Sequence, residues 1–384
     1  MTTFEYDLLQ CEERTWHSWE NFTETLTQDF QSFRQSNPDK PVKIIFNYTC
    51  EGTMWLVEGD IFYKAIHNFA KKYNVNCNNI TYNGSNEKLQ ESYDSWHKQY
   101  SNTTDKINVN SECFGLYLYR KDSGYFDKLI YTKEAPTKLR NKKYNCLNAN
   151  MMPHRLLFML AMQQKGLIDK EHTYTSFHAF PELLNPSPED PILKHKKWAD
   201  VLTQEFKSTL PIQFDLSGGW DKIYDKIFES YPEVAGLDWN KVGDFRYIYE
   251  DCYFTITTES SESHDLCDYH WDDKVNDYFR TFHKEMFLTE KITRPMLNLH
   301  PQIIYGASGT LEHLHSLGFK TFSDYWSEEY DQLYGESKLN AIIDIIADLG
   351  SRPLEELHEM YWDMMPILKH NQEILLNNTY EKNN

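Results

Sequence analysis

Val42–Tyr48 (VKIIFNY) is followed, past Glu51-Gly52, by Ile61–Lys72 (IFYKAIHNFAKK) and then by Ile80–Tyr82. The outer two segments are short apolar runs, Val42–Tyr48 being β-branched as well, the mark of strands buried inside a sheet. Between them, apolar residues stand at positions 61, 62, 65, 66, 69 and 70, the spacing of one helix face. Strand, helix and strand over this length form a βαβ unit, which commits the surrounding chain to a parallel sheet.

The flanking sequence extends the pattern. Residues 1–37 are polar and aromatic and read as helical, up to the turn Ser36-Asn37-Pro38-Asp39. Between 101 and 140 a polar stretch surrounds a strand candidate, Phe114–Tyr119, and the locally basic Lys133–Lys143, with Pro136, reads as a linker. Tyr144–Leu147 restarts a strand. Pro153 suits a first helical turn, and Arg155–Gln164 is an amphipathic helix closed by Lys165-Gly166. Residues 181–240, rich in Pro, Gly and Trp, read as an insertion with short helices. Tyr253–Thr258 is a strand of period two, Pro301–Tyr305 a buried strand ended by Gly306, and Thr310–Leu317 a helix stopped by Gly318. Leu339–Leu349 is an apolar-periodic helix, and the Asn-rich tail after 376 frays. A chain of 384 residues suggests two or three domains. The expected fold is α/β, with two facing Rossmann-type domains and a cleft between them: 1-135, 136-350, and a helical tail at 351-384.

Composition removes several function classes. Lys and Arg total 39 against 58 Asp and Glu, a formal charge of −19. Such a chain repels phosphate backbones and anionic lipid except at a local basic site. The seven cysteines are scattered without a CxxC pair, so neither a disulfide framework nor a zinc knuckle is signalled. The N-terminus has no basic, then apolar, export signal. The longest strongly apolar stretch, Leu156–Met162, is far short of the roughly 20 residues that span a bilayer. A cytoplasmic protein without a membrane partner is expected. The sequons at Asn47 and Asn83 then carry no meaning.

The segment richest in chemistry is Phe287–Gly306 (FLTEKITRPMLNLHPQIIYG). Thr289 can cap a helix that opens with Glu290 and Lys291. Lys291 and Arg294 would then place cations at a helix N-terminus, where the dipole disfavours them. A bound anion resolves the conflict, sharing backbone N–H groups with Lys291, while Glu290 accepts from sugar hydroxyls. The plainer reading is a solvated helix start with an intrahelical ion pair. Arg155 also follows a strand end and opens a helix, the usual phosphate position; otherwise it is an exposed first-turn arginine. His154 touches phosphate or is a capped surface residue, the latter favoured.

Phe287-Leu288-Thr289-Glu290-Lys291, followed by Pro301-Gln302-Ile303-Ile304-Tyr305-Gly306, resembles the donor domain of inverting fucosyltransferases, with their aromatic-x-Thr-Glu-Lys segment and Pro-Val-Val-x-Gly-like strand. Cys146–Arg155 and Gly306–Phe322 are similar to segments of phage-encoded glycosyltransferase-like proteins. The resemblance implies a GT-B-like fold, acceptor domain first and nucleotide-sugar domain second, and, for a phage-encoded chain, the host cytoplasm. It implies that Lys291 and Arg155 hold the donor diphosphate and that Glu290 contacts donor hydroxyls. Thr289, Arg294, Phe287, Asn148, Asn150 and Glu259 complete the implied donor site. Phe287 lacks the hydroxyl of the family's frequent Tyr, and Thr258-Glu259-Ser260 stands where the family has Phe-Glu-Asn.

Inverting transfer needs a group to take the acceptor's proton. Glu51, just past a strand's carboxyl end and beside Gly52, is the candidate, with Glu58 and Asp60 behind it; a plain loop carboxylate is the alternative. His264–His270 contains metal-ligand residue types at no familiar spacing, and no Asp-x-Asp occurs. No metal and no resident cofactor are expected, only a nucleotide-diphosphate sugar as co-substrate. No GxxxxGK[ST] occurs either. Gly306–Thr310 is a phosphate loop or a tight βα turn. Tyr325, Trp326 and Tyr330 line a sugar rim or pack as core, the latter favoured for Trp326. The acceptor is open between a modified DNA base, a glycan and a protein. Alternatives to catalysis are a non-catalytic nucleotide-sugar-binding module and a phage virion or host-interaction protein.

Overall fold

The structure, a computed structural model, describes residues 1–7, 19–38, 40–48, 59–84, 87–101, 104–111, 131–148, 153–169, 171–177, 246–259 and 286–377. The chain divides into two compact units: Met1–Phe114 with Asp277–Phe287, and Gly115–Asn276 with Leu288–Asn384. Among the described residues each unit holds one four-stranded parallel sheet, so the molecule is α/β.

In the first unit β1 (Thr2–Asp7), β2 (Val42–Tyr48), β3 (Ile80–Gly84) and β4 (Asn108–Ser111) lie side by side in chain order. The connections carry α1 (Trp19–Ser36), α2 (Gly59–Lys72) and α3 (Leu89–Tyr100). Right-handed crossovers that all step the same way put these helices on one face. There Phe4, Phe46 and Tyr82 of the strands meet Phe30 of α1, Tyr63 of α2 and Trp96 of α3 in one core. The Glu87 N–H reaches the Met286 carbonyl at 2.8 Å, tying the returning segment to this unit.

The βαβ unit stands where the sequence places it. The helical reading of residues 1–37 is corrected in part: the chain opens with a strand, Phe4 and Tyr6 inward and Thr3 and Glu5 exposed, and Trp19–Ser36 is helix as expected. Six residues of period two are a faint signal beside eighteen helical ones. β4 escaped notice because Asn-Val-Asn-Ser gives the core only Val109. The expected strand Phe114–Tyr119, the insertion 181–240 and the tail beyond 377 lie outside the described residues.

The second sheet runs β6-β5-β7-β8, with β5 (Lys142–Asn148), β6 (Thr173–Phe177), β7 (Cys252–Thr258) and β8 (Gln302–Tyr305). Among the described residues its helices are α4 (Pro153–Gln164), α5 (Arg246–Asp251), α6 (Glu290–Leu297), α7 (Thr310–Ser316), α8 (Gly335–Ser351), α9 (Leu354–Asp363) and α10 (Met365–Asn377). All seven residues of β7 are buried, so the period-two expectation gives way to a central strand covered on both faces. On one face Phe158 of α4 stacks on Tyr305. On the other, Thr257 and Gln302 bond the Lys291 and Ile292 carbonyls of α6. Gly166 at φ +67° and Gly318 at φ +90° end α4 and α7 in left-handed turns, as the sequence predicts.

Lys133–Lys143 belongs to this unit. The Arg140 guanidinium bonds the Cys252 carbonyl at 2.7 Å and lies 3.7 Å from the centre of the Tyr361 ring. Among the described residues no helix is long and apolar enough to cross a membrane.

Candidate functional site

The order β6-β5-β7-β8 reverses direction between β5 and β7. From β5 the chain crosses to one side of the sheet, and from β7 to the other. In a parallel sheet such a switch point opens a crevice at the carboxyl ends of the two strands, where ligands bind. Here those ends are Asn148 and Thr258-Glu259.

Asn148 is 1% exposed and faces inward. Its Oδ1 accepts from Thr258 Oγ1, its Nδ2 points to Cys146 Sγ and Met159 Sδ, and its N–H donates to Ser176 Oγ at 3.3 Å. It binds three strand ends together. Arg155, in the first turn of α4, is also buried and donates from one nitrogen to the Thr258 and Glu259 carbonyls at 3.1 and 3.0 Å. His154 bonds the Glu259 carbonyl through Nε2 at 2.9 Å. Burial, then the neighbouring Arg155 charge, push its pKa down to about 3, so it is neutral. The surface reading of His154 is corrected, and so is the exposed alternative for Arg155. Both clamp the first turn of α4 to the end of β7.

Glu259 is 1% exposed, and its N–H joins the Tyr305 carbonyl at 2.9 Å. Its carboxylate receives the Thr289 N–H and the Thr289 hydroxyl, each at 2.9 Å. Thr289 is the N-cap of α6, as its sequence context predicts. Having given its proton to Glu259, Oγ1 accepts from the Lys291 N–H and Lys291 Nζ, both at 3.2 Å. Lys291 Nζ also lies 3.3 Å from Glu290 Oε1, so the ion pair of the plainer reading exists. A directed chain results: Lys291 ammonium, Thr289 hydroxyl, Glu259 carboxylate.

Gly306 makes room for the stem of the Glu259 side chain. A Cβ there would stand 3.1 Å from Glu259 Cβ. The Gly306 carbonyl is held by Lys338 Nζ at 2.6 Å, from a lysine 1% exposed. Asp331 closes the loop that follows, taking the Leu311 and Glu312 N–H groups at 3.1 and 3.3 Å. Burial raises its pKa, opposed by the Leu311 N–H and the Lys338 charge. The N–H groups a phosphate would need at the start of α7 are thus taken by the chain's own carboxylate. Gly306–Thr310 is the tight βα turn, the plainer of its two readings.

Arg294 is placed differently from the expectation. Helix α6 has only eight residues, so Arg294 falls in its last turn, where a cation is favourable, and the dipole conflict rests on Lys291 alone. Phe287 is buried and groups with the first unit. Trp326 packs on Phe322 and Tyr330 is buried, both in the core, while Tyr325 bonds Asp363 at 3.2 Å. Glu51, Glu58, Asn150 and His264–His270 lie outside the described residues. Asp60 falls in the first turn of α2. Among the described residues no group of three or more His, Cys, Asp or Glu is arranged to hold a metal ion.

Two residues of this edge were missed in the sequence: Lys338 and Asp331. The signal for Lys338 was present, since it precedes Ile342 by four and so puts a charge on the apolar stripe of α8. Asp331 comes twenty residues after the amide it caps and leaves no local trace. Compared with protein-family models, with curated proteins and with solved structures, the chain matches none of them.

Proposed function

We propose that the second unit binds a nucleotide-diphosphate sugar at the carboxyl edge of β5 and β7, and that the chain is a metal-independent inverting glycosyltransferase of GT-B type. The observation that carries this reading is the chain from Lys291 through Thr289 to buried Glu259. It fixes an ammonium group at the N-terminus of α6, next to the switch point, where dipole and charge together attract an anion. The resemblance of Phe287–Lys291 and Cys146–Arg155 to glycosyltransferase segments supports the same assignment.

In this reading the acceptor oxygen attacks the anomeric carbon from the face opposite the diphosphate. The carbon–oxygen bond to the diphosphate breaks, and Glu51 takes the acceptor's proton. Lys291 and the α6 N–H groups stabilise the negative charge that grows on the leaving diphosphate. Glu290, half-buried beside Lys291, accepts from donor hydroxyls. Arg155 serves the site by fixing the end of β7 against α4.

A thermal-shift panel of GDP-, UDP-, dTDP- and CMP-sugars tests the proposal. A true donor supplied at a hundred times its dissociation constant stabilises the protein by about 2.7 kcal/mol. A panel without any stabilising compound would sink it.

A further inference from the structure

Among the described residues β4 pairs with β3 alone, and the strand with its lead-in gives the core only Ile107 and Val109. So few buried contacts put it at the low-stability end of a fold. Polar groups hold it instead. Lys106 Nζ lies 2.5 Å from Asp94 of α3, and His97 Nε2, also on α3, donates to the Asp105 carbonyl at 3.1 Å. The Ile107 N–H donates to the Tyr93 hydroxyl at 3.0 Å.

Tyr93 carries this bond on to His67 of α2. Its hydroxyl meets His67 Nε2 at 3.0 Å, and His67 Nδ1 stands 3.8 Å from Cys77 Sγ. Tyr93 is 0% exposed, and among the described residues its O–H has no other acceptor. One arrangement satisfies every group: Tyr93 donates to Nε2, and the ring hydrogen sits on Nδ1. A proton added to His67 turns Nε2 into a donor. The phenol oxygen then faces two N–H groups, and its own O–H is orphaned in the core. The His97 ring, with its centre 5.7 Å from that of His67, adds a like charge when both are protonated. Besides these, the titratable and charged groups around His67 are Cys77, Asp94, Asp105 and Lys106, with Lys64 and Lys71 exposed on its own helix. Burial, then the His97 charge, lowers the pKa of His67, with Asp105 opposing.

We propose that His67, Tyr93 and His97 form an acid-sensitive latch on the edge strand: a proton on His67 breaks the Tyr93 bridge, and β4 with its lead-in opens, leaving the edge of β3 able to pair with another strand. The proposal does not rest on the reading of the second unit. The open chain takes the proton that the closed cluster rejects. Opening therefore grows by up to about tenfold per pH unit as the pH falls below about 6.5, and does not depend on pH above it.

Hydrogen exchange of the full chain, followed by mass spectrometry with each rate divided by its intrinsic value at the same pH, tests the latch. Residues 104–111 lose roughly tenfold in protection from about pH 6.5 to 5.5, whereas residues 42–48 of β2 keep theirs. His67→Phe keeps a ring against Trp96 and takes no proton. In that variant 104–111 are less protected at neutral pH, and their protection no longer changes with pH. A second readout needs no variant: titration of the ring nitrogens in the 15N-histidine-labelled wild type puts the His67 midpoint below about 6.5. An equal loss over both segments, no loss, an acid response that persists in His67→Phe, or a His67 midpoint at or above that value overturns the proposal.

Discussion

A single oxygen, Thr289 Oγ1, gives its proton to Glu259 and receives two N–H bonds from Lys291. Thr289→Val keeps the volume and deletes this junction. It removes an N-cap and a donor to a buried carboxylate, each worth about 1–2 kcal/mol. Urea unfolding is expected to show a loss of about 2–3 kcal/mol for Thr289→Val and most of it restored in Thr289→Ser; equal stability of Val and wild type would refute the junction. The buried imidazoles act at the same scale. His154 and His300 are pushed down to about 3, burial being the larger cause in each and the charges of Arg155 and Arg140 the next. In the unfolded chain they titrate near 6.5. Between those values the unfolded chain binds more protons, so stability falls as the pH falls from about 6.5 toward 3. Each histidine contributes a slope of up to about 1.4 kcal/mol per pH unit, and none above pH 6.5. His300→Gln should flatten the decline in urea midpoint between pH 6.5 and 5, whereas an unchanged slope speaks against the assignment.

The elements legible in the sequence were those with long, clean periodicity. Val42–Tyr48, α2, α4, α7 and α8 stand within a few residues of their predicted bounds, because an apolar stripe over several turns has few alternative explanations. β1 and β4 were not legible, since a strand that buries one or two side chains leaves almost no pattern. β7 suggests period two in the sequence because its threonines mimic alternation. In the fold they are buried and bonded, Thr255 to Asn145 and His300, Thr257 to Gln302, Thr258 to Asn148. Glycines at element ends were legible, but for different reasons. Gly166 has open space and a positive φ, so Gly166→Ala costs about 1 kcal/mol of backbone strain and leaves ligand binding intact. Gly306 touches Glu259, so Gly306→Ala costs about 1–3 kcal/mol of overpacking and, under the proposed function, also weakens nucleotide-sugar binding. A comparison of the two variants by thermal unfolding and titration separates these causes; equal binding in both would contradict the contact.

At the scale of the whole molecule, the charge of −19 and the proposed anion site are reconciled by local pairing. Along the carboxyl edge of the second sheet Arg155, Lys291 and Lys338 are accompanied by Glu259, Glu290 and Asp331. The edge is therefore no general polyanion surface. The sequence made the cap Thr289 and the pair Glu290–Lys291 legible, because capping is local. It could not show that Arg155 bonds two carbonyls at the end of β7 or that Asp331 fills the start of α7, since both depend on contacts made across the fold. Under the proposed function Lys291, fixed through Thr289 and Glu259, holds the diphosphate of a nucleotide sugar. Calorimetric titration of the best nucleotide sugar from the panel into wild type and Lys291→Ala tests it directly. A lost charge-assisted hydrogen bond of about 1.5–3 kcal/mol predicts binding weaker by roughly ten- to a hundredfold in the variant. Equal affinity in the two proteins would contradict it.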